Sequence, residues 1–297
     1  MRQIDGVLLL DKPLGLSSNQ ALQKAKRLYG AAKAGHTGTL DPLATGLLPL
    51  CFGEATKYSA MMLDADKGYQ AVLKLGEKTS TGDAEGEIVE RNEVELNGAM
   101  IEHALALFRG EIRQLPPMHS ALKHKGKPLY AYIRKGVEIE RPDRAVTIRE
   151  LFLERFSGEE LHVRVRCSKG TYIRTLAEDI GNALGCGAHL KSLVRTGTGP
   201  FDLANARTLD EIGERCDRDA WLLPCDALLA DFAKLVLGGE EAASLVNGRA
   251  VESEQDPGLY RLYDREERFM GLVESDGQGK IRPKRMMSVR ALEEEAF

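Results

Sequence analysis

Asp41 is the only carboxylate in the run Gly35-His36-Thr37-Gly38-Thr39-Leu40-Asp41-Pro42-Leu43-Ala44-Thr45-Gly46, which also carries three glycines, three threonines and one histidine. No helical or alternating period runs through these residues, so they read as a loop. Pro42 biases Asp41 away from the α region and stiffens the turn. Loops held by a scaffold are where catalytic side chains concentrate. Taken alone, the stretch fits equally well a structural turn in which Asp41 bonds its own backbone. If it is a site, it is a single-acid site. The chain has no Walker loop, no Rossmann fingerprint and no zinc-ligand cluster. Ordinary glycoside hydrolysis uses two carboxylates and an attacking water, and only one acid stands out.

Other residues supply what such an acid would need. Arg174, in Ser168-Lys169-Gly170-Thr171-Tyr172-Ile173-Arg174-Thr175, offers an opposite charge, which within about 4–6 Å keeps an aspartate ionised. Tyr69 falls on an alternating apolar stretch, where a lone tyrosine is ordinarily core with its hydroxyl bonded at the rim. Leu129 to Gly136 interleaves basic and aromatic residues, a pattern suited to phosphate contact and base stacking. The net charge is −4, yet residues 109–149 hold ten Lys/Arg against four acids, and residues 278–290 hold five basic residues and no acid. Two basic blocks on an acidic body fit a protein that grips phosphates in defined places. They fit a mixed, solvated surface about as well.

Taken together these stretches are similar to the TruB family, the bacterial tRNA pseudouridine-55 synthases. GHTGTLDPLATGLLP matches that family's catalytic motif nearly letter for letter. CSKGTYIRTL and GAHLKSLVRTG match two more, and Lys67-Gly68-Tyr69 and Lys12-Pro13 with Ser17-Ser18 match shorter ones. The resemblance implies that Asp41 is the nucleophile, that Arg174 is its charge partner and that Tyr69 stacks on the target base. It gives Tyr172 the wall of the base pocket, Leu193 a contact to the target nucleotide, and His36 the space left by the flipped base. It assigns Lys123, Lys125, Lys127, Arg134 and Lys135 to an RNA-gripping insertion over about residues 114–146. Lys12 and Pro13 support the site or simply end a strand, and Asp83 is expected to be structural.

The implied reaction breaks the N1 glycosidic bond of the uridine at position 55 in the tRNA T-arm, turns the base and rejoins it through C5. It needs no metal, redox cofactor or group donor. A uridine folded into an RNA arm must first be flipped out, at a cost of a few kcal/mol recovered in the pocket. The implied partner is tRNA, with no membrane and no obligate protein partner. Two other readings compete. An RNA-binding chaperone would open and refold the tRNA arm without turnover, and a nucleosidase would release free uracil.

The elements that must position these residues follow from pattern. Residues 7–10 and 47–52 read as buried strands, and residues 67–75, 146–156 and 161–167 as further strands. A helix opens at a Ser17–Gln20 capping box and ends at Gly30. Further helices are expected over residues 54–63, 97–109 and from Ile173 onward. Beyond Lys234 short strands and turns predominate, and Trp221 is expected to anchor apolar packing. With the resemblance, the expected fold is α+β. A pseudouridine-synthase catalytic domain (residues 1–233) is built on a mixed, largely antiparallel β-sheet flanked by helices. A small PUA-like β-barrel (residues 234–297) follows. The five cysteines are scattered, without a CxxC pair, which fits a reducing cytoplasm. No apolar run approaches spanning length.

Overall fold

The computed structural model describes residues 1–118, 120, 122–124, 126–133, 136–137 and 139–294. Lys125, Arg134 and Lys135 lie outside the described residues. The first part of the chain runs β1 (Gly6–Lys12), α1 (Ser18–Tyr29), β2 (Ala34–His36), β3 (Ala44–Phe52), β4 (Lys67–Leu75), β5 (Glu77–Thr79) and β6 (Ile88–Arg91). It continues through α2 (Gly98–Ala106), β7 (Gly110–Gln114), β8 (Lys123–His124), β9 (Lys127–Pro128) and α3 (Tyr130–Ile133). Then come β10 (Arg144–Ser157), β11 (Glu160–Cys167), α4 (Ile173–Ala183), β12 (Ala188–Thr198), β13 (Phe201–Asp202) and α5 (Leu209–Glu214).

The main sheet is ordered β1-β3-β12-β4-β11-β10-β7, with β2 added to β3 and β13 to β12. Among the described residues of this sheet only the β3–β12 ladder is parallel; the other ladders are antiparallel. The mixed, largely antiparallel sheet expected from the sequence is therefore present. On β4 the alternation is clean: Tyr69, Ala71, Leu73 and Leu75 face the core while Gln70 is exposed. α1 keeps its capping box, with Ser17 Oγ accepting from the Gln20 amide and Gly30 closing the helix at φ 62°.

The uninterrupted apolar spelling of β1 and β3 has a packing cause. Leu8, Leu10, Leu48 and Leu50 face a core shared with α1. Val7, Leu9, Leu47 and Cys51 face a second core completed by Tyr263, Phe269 and Leu272 from the end of the chain. Strands covered on both faces lose their period-2 pattern.

The end of the chain forms β14 (Ala233–Val236), α6 (Gly239–Val246), β15 (Val251–Glu252), β16 (Gly258–Tyr263), β17 (Phe269–Ser275), β18 (Lys280–Met286) and α7 (Val289–Glu294). Its five strands are ordered β14-β16-β17-β18-β15, and among the described residues the two end strands share no ladder. Polar ties reinforce the shared apolar core. Lys57 Nζ donates to the Met286 carbonyl at 3.0 Å, Tyr58 to the Arg285 carbonyl at 3.2 Å, and the Ser288 amide to Glu54 at 2.6 Å.

Two expectations need correction and a third gains a detail. Residues 54–63 are two 3-10 turns, Gly53–Lys57 and Ser59–Met62, rather than one helix. Tyr58, fully buried between them and tied to Arg285, breaks the longer pattern. Trp221 packs against the main core as expected, and two guanidiniums also lie over its ring, Arg207 at 5.3 Å and Arg215 at 4.6 Å, adding cation–π contact. And the Asp41 stretch is not loop throughout: Gly35 and His36 belong to β2, Ala44 to Gly46 begin β3, and only residues 37–43 are loop.

Candidate active site

The loop over residues 37–43 is held from several sides, and each tie is a backbone group met by a partner its neighbours supply. Ser18, at the start of α1, donates to the Leu40 carbonyl at 3.0 Å and accepts from the Leu40 amide at 2.7 Å. The Gly15 amide donates to the Pro42 carbonyl, the Ala44 amide to the Asp41 carbonyl and the Thr37 amide to the Pro49 carbonyl. Gly46, at φ +95°, has no room for a side chain, because a Cβ there would stand 2.4 Å from the Arg195 carbonyl oxygen. β3 can thus run against β12 only with glycine at this point.

Arg174, in the first turn of α4, projects between two carboxylates. Its guanidinium nitrogens lie 3.0 Å from Asp41 Oδ2 and 3.2 Å from Asp83 Oδ2. Asp83 is buried and also accepts from Thr81 Oγ1 at 2.6 Å and from the Glu85 amide at 3.1 Å. It is therefore both a turn residue and an anchor for Arg174, more than the structural role expected of it. The Asp41 side chain is 55% exposed and Arg174 only 9%. The acid is presented to the cleft while the cation that steers it stays in the wall. Gln114, at the end of β7, accepts from the Tyr172 amide at 3.0 Å and donates to its carbonyl at 3.3 Å. This fixes the backbone where α4 begins.

These groups surround a cleft of about 590 Å³ lined by His36, Asp41, Tyr69, Tyr172, Arg174 and Leu193, together with Asp83 and Arg195. Every residue proposed from the sequence for catalysis or base binding is thus brought to one place. Of the basic residues proposed to grip RNA, Lys127 is exposed on β9 and does not line the cleft. Lys123 begins the facing strand β8.

Sequence reasoning missed β12, and with it Arg195. β12 is irregular, with register shifts between Leu190 and Ser192 and between Arg195 and Gly197. Such bulges hide the period-2 signal. Yet Leu193 and Arg195 stand two apart and so share a face, and that spacing could have flagged the arginine once Leu193 was singled out.

Burial sets the charge states around the cleft. His36 is pushed below the usual histidine range, first by burial and then by the Arg195 charge. It is therefore a neutral ring near neutral pH. Burial pushes the Tyr69 hydroxyl up, against the pull of Arg195. Lys12 is fully buried at the end of β1 and donates to the Pro13 and Leu16 carbonyls at 2.9 and 2.6 Å. Burial lowers it to about 8, opposed chiefly by the Asp41 charge. It ends the strand and braces the following turn at once. Among the described residues no group of three or more His, Cys, Asp or Glu could hold a metal. No helix among them is long and apolar enough to cross a membrane.

Comparison with known proteins finds family models and relatives along most of the chain. The model of the TruB family pseudouridylate synthase N-terminal domain matches residues 26–173. Two models of TruB C-terminal domains match residues 174–230 and 233–287. The chain is 54% identical over 290 residues to tRNA pseudouridine synthase B of Methylobacillus flagellatus, covering 96% of each.

The chain belongs to the TruB family.

A second relative of the same name, from Azoarcus sp., is 56% identical over 292 residues, with 97% of each chain covered. Among solved structures, a chain of a Cbf5-Nop10-Gar1 complex aligns with a TM-score of 0.70 and 26% identity, covering 97% of this TruB-family chain and 80% of the other. In this TruB-family chain the stretches around His36 to Ala44, Tyr69, Tyr172 and Leu193 meet around the Asp41–Arg174 pair.

Proposed function

We propose that this cleft acts on the uridine at position 55 in the tRNA T-arm, taking it flipped out of the RNA and using Asp41 as nucleophile. The coarser statement rests on family membership: the chain is an enzyme that isomerises uridine to pseudouridine in tRNA. The observation that carries the finer reading is the pair of Arg174 with the exposed Asp41 at 3.0 Å, in a cleft walled by Tyr69, Tyr172 and Leu193. The carboxylate attacks and the N1 glycosidic bond breaks. The base turns between its walls, C5 bonds to the sugar carbon that N1 has left, and the bond to Asp41 breaks so that the carboxylate is regenerated. C5 then gives up its proton and N1 takes one up. Nothing is added or lost overall, so the RNA keeps its mass.

Each residue has a task in that sequence. Arg174 aims the Asp41 carboxylate and Asp83 holds Arg174. Tyr69 offers a flat face to a detached base, and Tyr172 and Leu193 close the sides. His36, a neutral ring beside the nucleophile loop, takes the place in the RNA that the flipped base leaves. The segment over about residues 114–146 and the β18 residues Lys280, Arg282, Lys284 and Arg285 would meet the phosphates. We take residues 1–233 as the catalytic body and 234–297 as an RNA-gripping addition in a cytoplasmic enzyme.

The test is incubation with unmodified tRNA followed by chemical mapping of pseudouridine. Wild-type protein should modify the T-arm uridine, and Asp41→Asn should not. Product at another uridine would overturn the T-arm assignment. Turnover by Asp41→Asn near the wild-type rate would overturn the nucleophile. Release of free uracil would make the protein a nucleosidase.

A further inference from the structure

Arg195 is buried at 2% exposure in the middle of the main sheet. In the ladders it stands opposite Gly46 of β3 on one side and opposite Tyr69 of β4 on the other. Directly opposed residues on neighbouring strands bring their side chains together on one face. Its Nε donates to the Leu47 carbonyl at 2.7 Å and one terminal nitrogen to the Thr39 carbonyl at 3.3 Å. The guanidinium also bears on the Tyr69 hydroxyl. Among the described residues these partners are two carbonyls and a phenol, and none is a carboxylate. A buried guanidinium without a counter-charge is costly, and a residue needed only to fill space here would be apolar.

What the fork does is join three segments that the reaction needs in register. Thr39 stands two residues before Asp41 in the nucleophile loop, Leu47 lies on the strand after it, and Tyr69 is the aromatic wall. We propose that Arg195 is a positioning residue for the isomerisation, holding the Asp41 loop and the Tyr69 ring in one frame. This rests on the functional reading above. In that reaction the base is free of the sugar while it turns, so the gap between nucleophile and ring must not widen. Lysine cannot substitute, because its point charge lacks the planar fork that reaches several acceptors at once.

The experiment compares kcat and KM for pseudouridine formation in tRNA for wild type, Arg195→Lys, Tyr69→Phe and the double variant, with thermal melting of each. Arg195→Lys should lower kcat on the order of 10–100-fold, the effect of a small misplacement of reacting groups, with KM and melting temperature little changed. The double variant should lose less than the product of the two single losses, because both touch one contact. A near-wild-type kcat in Arg195→Lys, a change confined to KM, a loss that follows melting, or fully multiplicative losses would each overturn the proposal. No product from wild type would overturn the functional reading itself, which the variants alone cannot do.

Discussion

Arg174 and Arg195 face the same cleft in opposite electrical settings. Arg174 sits between two carboxylates, one exposed and one buried. Arg195 sits among carbonyls and a phenol. In the proposed reaction the first sets the direction of the acid, and the second sets the frame from which the acid and the aromatic wall are hung. Losing either would hurt activity, but the consequences for stability should differ. Removing Arg174 strands a buried negative charge, whereas removing Arg195 leaves only neutral acceptors.

The largest effect expected is therefore from Arg174→Met. It leaves Asp83, whose side chain is 3% exposed, without its cation, and breaking a buried pair by removing one partner costs about 3–5 kcal/mol. Turnover should fall beyond about 100-fold as the nucleophile loses its aim. Urea unfolding checks the first number and single-turnover kinetics the second. The sharper form is a double variant. Arg174→Met with Asp83→Asn removes the stranded charge and should recover much of the stability but none of the activity. Equal instability of Arg174→Met and Arg195→Met would erase the distinction between the two arginines.

Asp83→Asn alone should be milder. It keeps Arg174 paired with Asp41 and costs about tenfold in kcat through looser aim. Thr81 and the Glu85 amide still hold the turn, so melting should move little. A loss as complete as that of Asp41→Asn would mean that Asp83 does more than hold the guanidinium.

How much of this was legible in the sequence depended on whether the signal was local. The Ser17–Gln20 cap, the alternation on β4 and the Asp41–Pro42 turn each lie within a few residues, and the structure has all three. Asp83 looked structural because its Thr81 and Glu85 contacts are local, while its Arg174 contact spans about ninety residues. Arg195 escaped for two reasons. The bulges in β12 scramble its alternation, and its worth lies in contacts to Thr39, Leu47 and Tyr69, none of them near it in sequence. The division of β1 and β3 between two cores was also hidden, since a continuous apolar run does not say what covers each face.

The backbone side of the frame can be tested with two glycines. Gly46→Ala would put a methyl 2.4 Å from the Arg195 carbonyl, at φ +95°. It should destabilise by about 1–3 kcal/mol, as forcing a side chain into such a conformation does. Gly38→Ala meets nothing closer than the Arg195 guanidinium at 3.7 Å, an ordinary contact, and should be near neutral. Thermal melts of the pair decide whether the β3–β12 approach, rather than glycine content in general, holds the loop.

The smallest effect reports on the uncompensated charge itself. His36 is lowered by burial first and by Arg195 second, so its folded value lies under the usual one near 6.5. The unfolded chain then binds the proton more readily. Stability owed to neutral His36 is complete above about pH 6.5 and is lost as pH falls through the folded value. His36→Phe should flatten that acid limb, as measured by urea unfolding at a series of pH values. Arg195→Met should shift the His36 titration upward, followed by NMR with the resonance assigned by its disappearance in His36→Phe. Arg174→Met should shift it less, because Arg174's charge is answered by two carboxylates. If both arginine variants move His36 equally, the Arg195 charge is balanced by something other than its carbonyls, and the contrast between the two guanidiniums fails.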